Sequence, residues 1–561
     1  MVLAEFSLIR DPWIPVVGLD GKRKEVSLQD ALLFADRYRR IDAGHPLTTA
    51  ALYRLLLAVL HRALKGPEGA KQAAEWYMDG FPRAKIEAYL AQYRERFELF
   101  GETPFWQVSG LDSAELGEKF RSHWTRLSTE EGSGNTTALF NVTARPGGER
   151  QDALGAAAAA RLLVTHQTFA LGGLIQRFTT SAKAAPVATA ALFLAEGPTL
   201  QATLALNLVP YPEPMQQQDQ PFWERPALQV ADIERLYAPK EALTQPVWSY
   251  ASRYSWPSRS VLLLPEESAG SLWVTSIGYG AGVPLEGPGE GGDHNIDPMV
   301  SLVQSSKPGG EPYPYKLRRD RLLWRDLTAV LPSAADSVSA EQNGKVRVRR
   351  GQPAQVLGYA AEVLRMVLAK TNPQQAGKWS QRPVVPVQVF GLLSNQAKAL
   401  AMRQESYTLP EAFIQNPAHF HNYVRGALDT AAVVGEVLKA SVTVLARQLL
   451  QKDGDRAPDP GDIHKLAGQI PAVATYWQTL ESPFRQYLLE LDGDADSATF
   501  AWHRAVQREA LGAWRLAEEA AGLGSIGLRA VSMAKRPLLS ALGTLTTEHA
   551  QEEEGSDDPE Q

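Results

Sequence analysis

The chain has 561 residues, 44% of them hydrophobic, and contains no cysteine. A chain of this length can bury a large core and form two or more domains, while the lack of cysteine excludes disulfides, thiolate zinc sites, iron–sulfur clusters and cysteine nucleophiles. The formal net charge is −6, but residues 551–561, QEEEGSDDPEQ, carry six acidic residues and no basic one, so the rest is nearly neutral. A neutral body can bind nucleic acid only through local basic patches.

The N-terminal residues, MVLAEFSLIRDPWIPVV, lack the basic region and apolar stretch of a secretory signal. No run of about 18 apolar residues occurs, which is the length that a membrane span requires. We therefore expect a soluble, cytoplasmic protein with no membrane partner.

The first section is predicted to contain a strand, a turn and three helices. The strand FSLI and the turn DPWIP precede a capping box at Ser27 and Asp30, which starts a helix over SLQDALLFADRYRR. Two more helices are predicted over LTTAALYRLLLAVLHRAL and AKIEAYLAQYRERFELF. From about residue 185 to 390, Pro and Gly separate β-like runs: TLQATLALNLV, SVLLL, SLWVTSI and VVPVQVFGLL.

After about residue 405 the pattern becomes helical. Apolar residues recur at spacings of three and four along one stripe: Val424, Leu428, Ala431, Val434, Leu438, Val442, Leu445 and Leu449. Further helical segments cover about 463–491, 496–522 and 525–546, and Pro471 and Pro483 are expected to bend or start pieces of the first of these. Four helices joined by short loops predict an antiparallel bundle.

The predicted fold class is therefore α+β. A mixed α/β domain is expected over 1–400 and a C-terminal four-helix bundle over 401–546. The acidic tail, 547–561, is expected to be disordered, because blocks of like charge are usually solvated.

Residues 135–173 form the connection with the most evident functional character. Polar and glycine-rich loops of this kind are usually binding loops or disordered segments. An Ala-rich helical segment follows the loop and leads to the pair Gly172–Gly173. An aromatic, an amide and two arginines in such a loop suit contact with a polyanion and its bases: Phe140, Asn141, Arg145 and Arg150.

Metal-dependent catalysis is one alternative. Asp293, His294 and Asp297 lie together in GGDHNIDP, and His419 and His421 form a second cluster. Nitrogen and oxygen ligands at this spacing could hold a divalent ion. A polar loop and a helix start explain the same residues, and no HExxH framework surrounds them. The sequence also lacks the P-loop pattern GxxxxGK[ST] and the esterase pattern GxSxG.

Two basic patches could bind phosphates. The first comprises Lys316, Arg318, Arg319, Arg321 and Arg325, and the second is KVRVRR at 345–350. A solvated strand edge protected by charge explains the second pattern equally well.

A small polar turn covers 394–398, SNQAK, between VVPVQVFGLL and the helical section. Its amide side chains could enter a groove or separate base pairs, or the segment could be an ordinary hinge turn.

Seven fragments in this order resemble the large-subunit (CasA) family of the type I-E CRISPR Cascade surveillance complex. The resemblance covers nearly the whole chain: LIRDPWIPV, TPFWQV, SGNTTALFNVT with the helix ending in QTFALGG, VWSYASRYSWPSRSVLLL, HNIDPMV, FGLLSNQA and ATYWQTLESPFRQYLL. It implies an α/β domain of unusual topology followed by a four-helix bundle. It also implies a non-catalytic reader of the protospacer-adjacent motif in double-stranded DNA, mainly from the minor groove, whose degenerate chemistry tolerates several motifs.

The resemblance assigns a DNA-opening wedge to Asn395, Gln396 and Ala397. After the wedge starts unpairing, the guide RNA reads the target by base pairing. Lys398, like Arg145 and Arg150, remains a candidate phosphate contact.

The motif-reading glycine loop of the family corresponds to 170–173, with Gly172 and Gly173 as the main candidates. Ala170 departs from the family, which is richer in glycine here. Phe140 and Asn141 would be the probing pair of a mobile loop that also reaches the 5′ handle of the guide CRISPR RNA.

The implied partners are the target DNA, the guide RNA, the backbone and small subunits of Cascade, and a recruited helicase-nuclease. The bundle would hold the non-target strand. Some relatives carry a four-cysteine zinc site, which this chain cannot form, so no metal and no cofactor are expected. The competing hypothesis is a stand-alone metal-dependent hydrolase that uses Asp293, His294 and Asp297.

Overall fold

The computed structural model of the chain separates into two compact units. The N-terminal unit comprises Met1–Leu323, Ala329–Gln381 and Val385–Tyr407, and the C-terminal unit comprises Trp324–Thr328, Arg382–Val384 and Thr408–Gln561. The structure describes residues 5–113, 116, 118–128, 153–211, 215–247, 249–268, 270–286, 297–303, 312–331, 340–342, 345–347, 352–370, 384–395, 398–451 and 457–556.

The N-terminal unit is built around one buried helix, Pro46–Leu64. This helix is long and apolar enough to cross a membrane, but 89% of its most apolar stretch is buried inside the fold, as in the core helix of a globular unit. The helices in the described part of this unit are α1 (Leu28–Leu33), α2 (Pro46–Leu64), α3 (Ala70–Asp79), α4 (Arg83–Gln92), α5 (Ala156–Phe169), α6 (Leu200–Asn207), α7 (Val230–Tyr237), α8 (Tyr250–Tyr254) and α9 (Gln355–Lys370).

The strands form several small sheets, and the pairings with a recorded register are antiparallel. The strands are β1 (Ile14–Gly18), β2 (Arg23–Val26), β3 (Tyr38–Ile41), β4 (Arg121–His123), β5 (Leu154–Gly155), β6 (Gly173–Arg177), β7 (Thr179–Ala182), β8 (Leu192–Ala195), β9 (Arg259–Ser268), β10 (Ser271–Ala281), β11 (Leu302–Val303), β12 (Tyr313–Pro314), β13 (Ala340–Gln342), β14 (Lys345–Arg347), β15 (Val385–Asn395) and β16 (Lys398–Leu409).

Three of these sheets position the candidate site. Strand β10 pairs with β9, β4 and β5, and β6 pairs with β7 in a separate hairpin. The third sheet has the order β16–β15–β8. Apolar side chains of β8 and β15 are buried, so this sheet forms part of the core.

Several predicted helix ends in the N-terminal unit are wrong. The Ser27 hydroxyl accepts from the Asp30 amide as expected, but α1 ends at Leu33 and Tyr38–Ile41 forms a strand against β1.

The run TLQATLALNLV is a helix, α6, rather than a strand. Its start is fixed by the Thr199 hydroxyl, which accepts from the Ala202 amide, and Leu, Gln and Ala are strong helix formers.

The C-terminal unit is all helical, apart from the end of β16. Its helices are α10 (Glu411–Gln415), α11 (Pro417–Leu450), α12 (Pro460–Gln469), α13 (Ala472–Thr479), α14 (Glu481–Glu490), α15 (Ala495–Ala521) and α16 (Ser525–Ser556). The long helix α11 packs against both α15 and α16, and α13 and α14 pack against α15. The unit thus has four helical segments, which are α11, then α12, α13 and α14 together, then α15, and finally α16. The predicted apolar stripe on α11 is buried except for Leu449, which is half-buried.

The helical section differs from the prediction at two places and agrees with it at a third. The segment after the SNQAK turn continues as the strand β16, and helices begin only at Glu411. The segment 463–491 is divided as its prolines predicted, because Pro471 is the N-cap of α13 and Pro483 lies in the first turn of α14. The last helix was expected to end at 546 but runs to Ser556, into the segment predicted to be disordered. Ala, Gln and Glu in that segment favour helix even where like charges repel.

Candidate nucleic-acid interface

The glycine turn, defined here as residues 170–173, follows α5 directly. The Ala170 amide donates to the His166 carbonyl at 2.8 Å, and the Ala170 side chain is buried against Ala185 and Ala188. Gly172 is half-buried and Gly173 is exposed. The predicted pair therefore presents backbone to solvent, whereas the methyl group of Ala170 faces the core and has no direct access to a ligand.

Both glycines have a steric reason to be glycine. The φ angle of Gly173 is +148°, in a region that L side chains rarely adopt. A methyl group on Gly172 would lie 3.0 Å from the Ala184 backbone nitrogen and 3.2 Å from the Ala182 carbonyl oxygen. A side chain at Gly172 would therefore force the turn away from the segment 182–185, and one at Gly173 would strain the backbone.

The turn is tied to that segment by hydrogen bonds. The Ala185 amide donates to the Ala170 carbonyl at 2.8 Å, and the Ser181 hydroxyl donates to the Gly173 carbonyl at 3.2 Å. Strand pairing places Gly173 opposite Ala182. These contacts hold the turn in one shape although its glycines lack side chains.

A buried arginine lies behind the turn. Arg259, the first residue of β9, is only 3% exposed. Its guanidinium donates to the carbonyls of Leu171 at 2.5 Å, Lys183 at 2.9 Å and Ser258 at 2.6 Å. Its backbone amide donates to the Gln167 side chain at 2.9 Å, so α5 and β9 are joined next to the turn.

Three arginines gather at the other end of the β6–β7 hairpin; we call Arg121, Arg126 and Arg177 the arginine cluster. Arg177 donates to the Ser122 hydroxyl at 2.9 Å and to the Arg121 carbonyl at 3.3 Å. Arg126 lies over the Tyr279 ring, 5.3 Å from its centroid. Within the described residues, none of the three arginines forms an ion pair with a carboxylate.

The positive charges of the cluster repel one another. Burial and then the Arg126 charge lower the pKa of Arg177 below its ordinary value. A bound anion would relieve this repulsion, so the cluster is suited to phosphate. Arg121 is exposed and Arg177 is half-buried, so the site can be reached from solvent.

His166 connects the glycine turn to the cluster. Its ring nitrogens lie 2.9 Å from the Leu127 carbonyl oxygen and 3.0 Å from the Tyr279 hydroxyl. Burial, helped by the charges of Arg259 and Arg126, lowers the pKa of His166 to about 3. The ring is therefore neutral at physiological pH and acts as a structural link.

Asn395, the first residue of the predicted wedge, lies at the end of one of two long paired strands. β15 ends at Asn395 and β16 begins at Lys398, and both of these residues are exposed. Gln396 and Ala397, which complete the predicted wedge, lie outside the described residues. With strands of eleven and twelve residues, this pair is longer than β9–β10, whose strands have ten and eleven residues.

The base of this hairpin is held by a polar cluster. The Glu405 carboxylate accepts from the Tyr407 hydroxyl and, at 2.9 Å, from the Leu323 amide. Arg403 donates to the carbonyls of Arg318 and Arg321 at 2.9 and 3.1 Å. Residues 316–321 of the first predicted basic patch therefore run beside β16, with Lys316, Arg318 and Arg319 exposed.

Other predicted residues lie outside the part of the chain that the structure describes. They are Phe140, Asn141, Arg145, Arg150, Asp293, His294, Arg349 and Arg350. Lys345 and Arg347 lie in β14, but the structure does not describe their side chains.

The remaining residue of the proposed metal cluster has a different partner. Asp297 is buried and accepts from both terminal nitrogens of Arg54, at 3.1 and 2.7 Å. The same guanidinium stacks on Tyr254, 4.2 Å from the ring centroid. No group of three His, Asp or Glu side chains that could hold a metal occurs among the described residues. Asp297 is thus committed to an internal ion pair.

Sequence reasoning did not identify Arg177 and Arg259. Arg177 follows the glycine pair by four residues in GGLIQR, at the end of a short strand. Arg259 is a charged residue that directly precedes the apolar run SVLLL, where a buried charge needs a specific partner. Both signals are visible in the sequence, but apart from the Ser122 hydroxyl the partners are backbone carbonyls, which leave no trace there.

The fold and the site together define a class: an α+β protein with an all-helical C-terminal unit and a short hairpin that carries a backbone turn at one end and, at the other, arginines with no carboxylate partner among the described residues. Residues 7–513 match the family CRISPR-associated protein Cse1. CasA/Cse1 of Thermus thermophilus is 35% identical over 557 residues, covering 97% of this chain and 99% of the relative.

Solved structures agree. The crystal structure of Thermus thermophilus CasA has a TM-score of 0.76 and 32% identity, with 96% of this chain and 100% of that chain covered. A chain of a CRISPR RNA-guided surveillance complex shares the fold, with a TM-score of 0.62 at 16% identity, covering 95% of this chain and 99% of that chain. The chain belongs to the CRISPR-associated Cse1 (CasA) family, which confirms the resemblance found in its sequence.

Proposed function

We propose that this chain is the large, non-catalytic subunit of a type I-E CRISPR RNA-guided surveillance complex in the cytoplasm. It recognises the protospacer-adjacent motif in double-stranded DNA, mainly from the minor groove, and starts the unwinding that leads to an R-loop. It also helps to recruit the helicase-nuclease. Family membership supports assignment to such a complex.

The observation that carries motif reading is the exposed, sterically fixed turn at Gly172–Gly173. Backbone without side chains can approach base edges where a larger residue would clash. The next residue, Leu174, is 71% exposed, and an apolar side chain beside a groove-facing backbone suits contact with the minor groove.

The arginine cluster supplies the attraction for the DNA backbone. One hairpin strand separates Gly173 from Arg177, which corresponds to about 13 Å at the usual rise per residue. Phosphate contacts at one end of the hairpin would fix the register of the protein on the duplex, while the turn at the other end contacts the motif.

The β15–β16 hairpin carries the wedge. Asn395 and Lys398 are exposed at the end of two long strands, and the intervening Gln396 and Ala397 complete it. An amide inserted beside the motif would favour strand separation, and the exposed Lys316, Arg318 and Arg319 would hold the displaced backbone.

The remaining assignments rest on the family resemblance. Phe140 and Asn141 probe DNA and reach the 5′ handle of the guide RNA, with Arg145 and Arg150 near phosphates. The C-terminal helices hold the non-target strand and help to recruit the helicase-nuclease.

A gel-shift series tests the proposal. Reconstituted complexes with and without this chain are compared across duplexes that carry a randomised motif. We expect motif preference only when the chain is present, and loss of that preference in Gly173→Asp. The proposal fails if the motif preference is the same without the chain.

A further inference from the structure

We propose that Arg259 is the positioning residue of the glycine turn: its guanidinium fixes the turn from behind, so that motif specificity depends on an arginine that does not touch DNA. This inference rests on the proposed function of the turn. Arg259 is 3% exposed, and its guanidinium bonds are to the protein backbone.

The bonds of Arg259 join the two chain segments that form the turn. One terminal nitrogen, Nη2, donates to Leu171, directly before Gly172. The other, Nη1, donates to Lys183, within the segment that a Gly172 side chain would strike. A planar fork can hold two carbonyls at a fixed separation, which a single ammonium nitrogen cannot reproduce.

Burying a charged side chain costs free energy, and carbonyl partners offset this cost less directly than a carboxylate would, so the burial of Arg259 needs a structural explanation. No carboxylate in the described part of the chain pairs with Arg259. Because hydrogen bonds from an ionised donor are stronger than neutral ones, the arrangement is suited to fixing the backbone at Gly172 and Gly173, which have no side chains to pack. The turn can then meet DNA without losing conformational freedom at that step.

The test compares Arg259→Lys and Arg259→Met in the reconstituted guide-RNA complex. We expect motif discrimination to fall by about tenfold or more in Arg259→Met, the effect of losing charged hydrogen bonds. Arg259→Lys keeps the charge but not the fork, so its discrimination should be intermediate. Arg235→Met, on α7, is the control. It removes an exposed arginine, and its motif discrimination should equal that of the wild type.

Salt dependence separates positioning from direct contact. If Arg259 bound a phosphate, Arg259→Met would lower the slope of log K against log salt by about one. We expect an unchanged slope, together with unchanged binding to a target whose motif-proximal base pairs are already open. A reduced slope, or full discrimination in Arg259→Met, overturns the proposal, as does wild-type discrimination in Arg259→Lys.

Hydrogen exchange on the free chain tests the positioning role of Arg259 without DNA. Peptides covering 170–185 should lose about tenfold or more of their protection in Arg259→Met, whereas those around Ala195, in β8, should not change. Unchanged exchange at 170–185 overturns the proposal that Arg259 fixes the turn. If the wild-type chain adds no motif preference to the complex, the proposed function fails, and the exchange result still decides the role of Arg259.

Discussion

A methyl group on Gly172 would lie 3.0 Å from the backbone nitrogen of Ala184. Backbone atoms cannot rotate away as a flexible side chain can, so Gly172→Ala must displace the turn or the segment facing it. We expect a loss of about 1–3 kcal/mol in stability, as for other overpacked sites, and weaker motif discrimination. The measurements are chemical unfolding and gel shifts on matched and mismatched motifs.

Gly358 provides the matched control for that substitution. It lies in α9, and a methyl group there would meet no atom within 4 Å. Gly358→Ala should stabilise the chain by about 0.5–1 kcal/mol through helix propensity and leave DNA binding unchanged. Equal destabilisation by both substitutions would contradict the steric account of the turn.

Gln396→Ala should weaken R-loop formation on duplex targets more than on pre-opened or single-stranded targets. An intact duplex must be separated at the motif, while an open target needs no wedge. Gln404→Ala is the control, because Gln404 lies on the same hairpin away from its tip and bonds to Gln388 at 3.1 Å. Equal losses on duplex and open targets would rule out the wedge role.

His166 should make unfolding take up protons in mild acid. Its pKa is about 3 in the folded chain, below the ordinary value of 6.5, so the folded state binds fewer protons between these values. The contribution of His166 to the free energy of unfolding is therefore complete above about pH 6.5. It falls by about 1.4 kcal/mol per pH unit as the pH is lowered toward 3. In unbuffered urea at pH 5, His166→Gln should take up about one proton fewer than the wild type. An unchanged uptake would show that the ring is not held neutral.

Asp297→Asn should destabilise the N-terminal unit strongly. The substitution leaves Arg54 buried beside a neutral amide, and breaking a buried ion pair costs about 3–5 kcal/mol. Replacing both residues by apolar ones of similar volume should recover part of the loss. Chemical unfolding of the single and double variants measures this. A mild effect of Asp297→Asn would mean that the pair is less important than its burial indicates.

His294→Ala separates the two functional hypotheses. A metal-dependent hydrolase would lose its activity and its bound divalent ion in this variant, whereas a motif-reading subunit should support DNA interference as before. Interference assays and metal analysis on the same preparation provide the two measurements.

The fold class and the family could be predicted from the sequence, because helical periodicity and several local motifs survive in it. The stripe on α11 and the core helix α2 were clear for this reason. The strand β16 was missed because its tip-proximal half is largely exposed, and only Glu405, Tyr407 and Leu409 are buried.

Only the local shape of the candidate site could be predicted from the sequence. Glycine pairs indicate a turn, so Gly172 and Gly173 could be found, but the burial of Ala170 could not be read from its neighbours. The roles of Arg177 and Arg259 depend on carbonyls that lie far away in sequence, such as that of Tyr279 for Arg177 at 3.3 Å. Backbone partners are the same at every position, so no residue pattern reports them.

The glycine turn and the arginine cluster lie at opposite ends of the short strand β6, and this has a consequence for engineering. The length of the strand, about 13 Å, equals roughly four steps of 3.4 Å along a DNA strand. Adding one residue pair to each strand of the hairpin would keep every side chain on its own face and move Arg177 by about two nucleotides, relative to Arg121 and Arg126, which lie outside the hairpin. Under the proposed function, strand length would therefore act as a molecular ruler, which sets the spacing between the motif contact at the turn and a phosphate contact at Arg177 independently of the bases accepted.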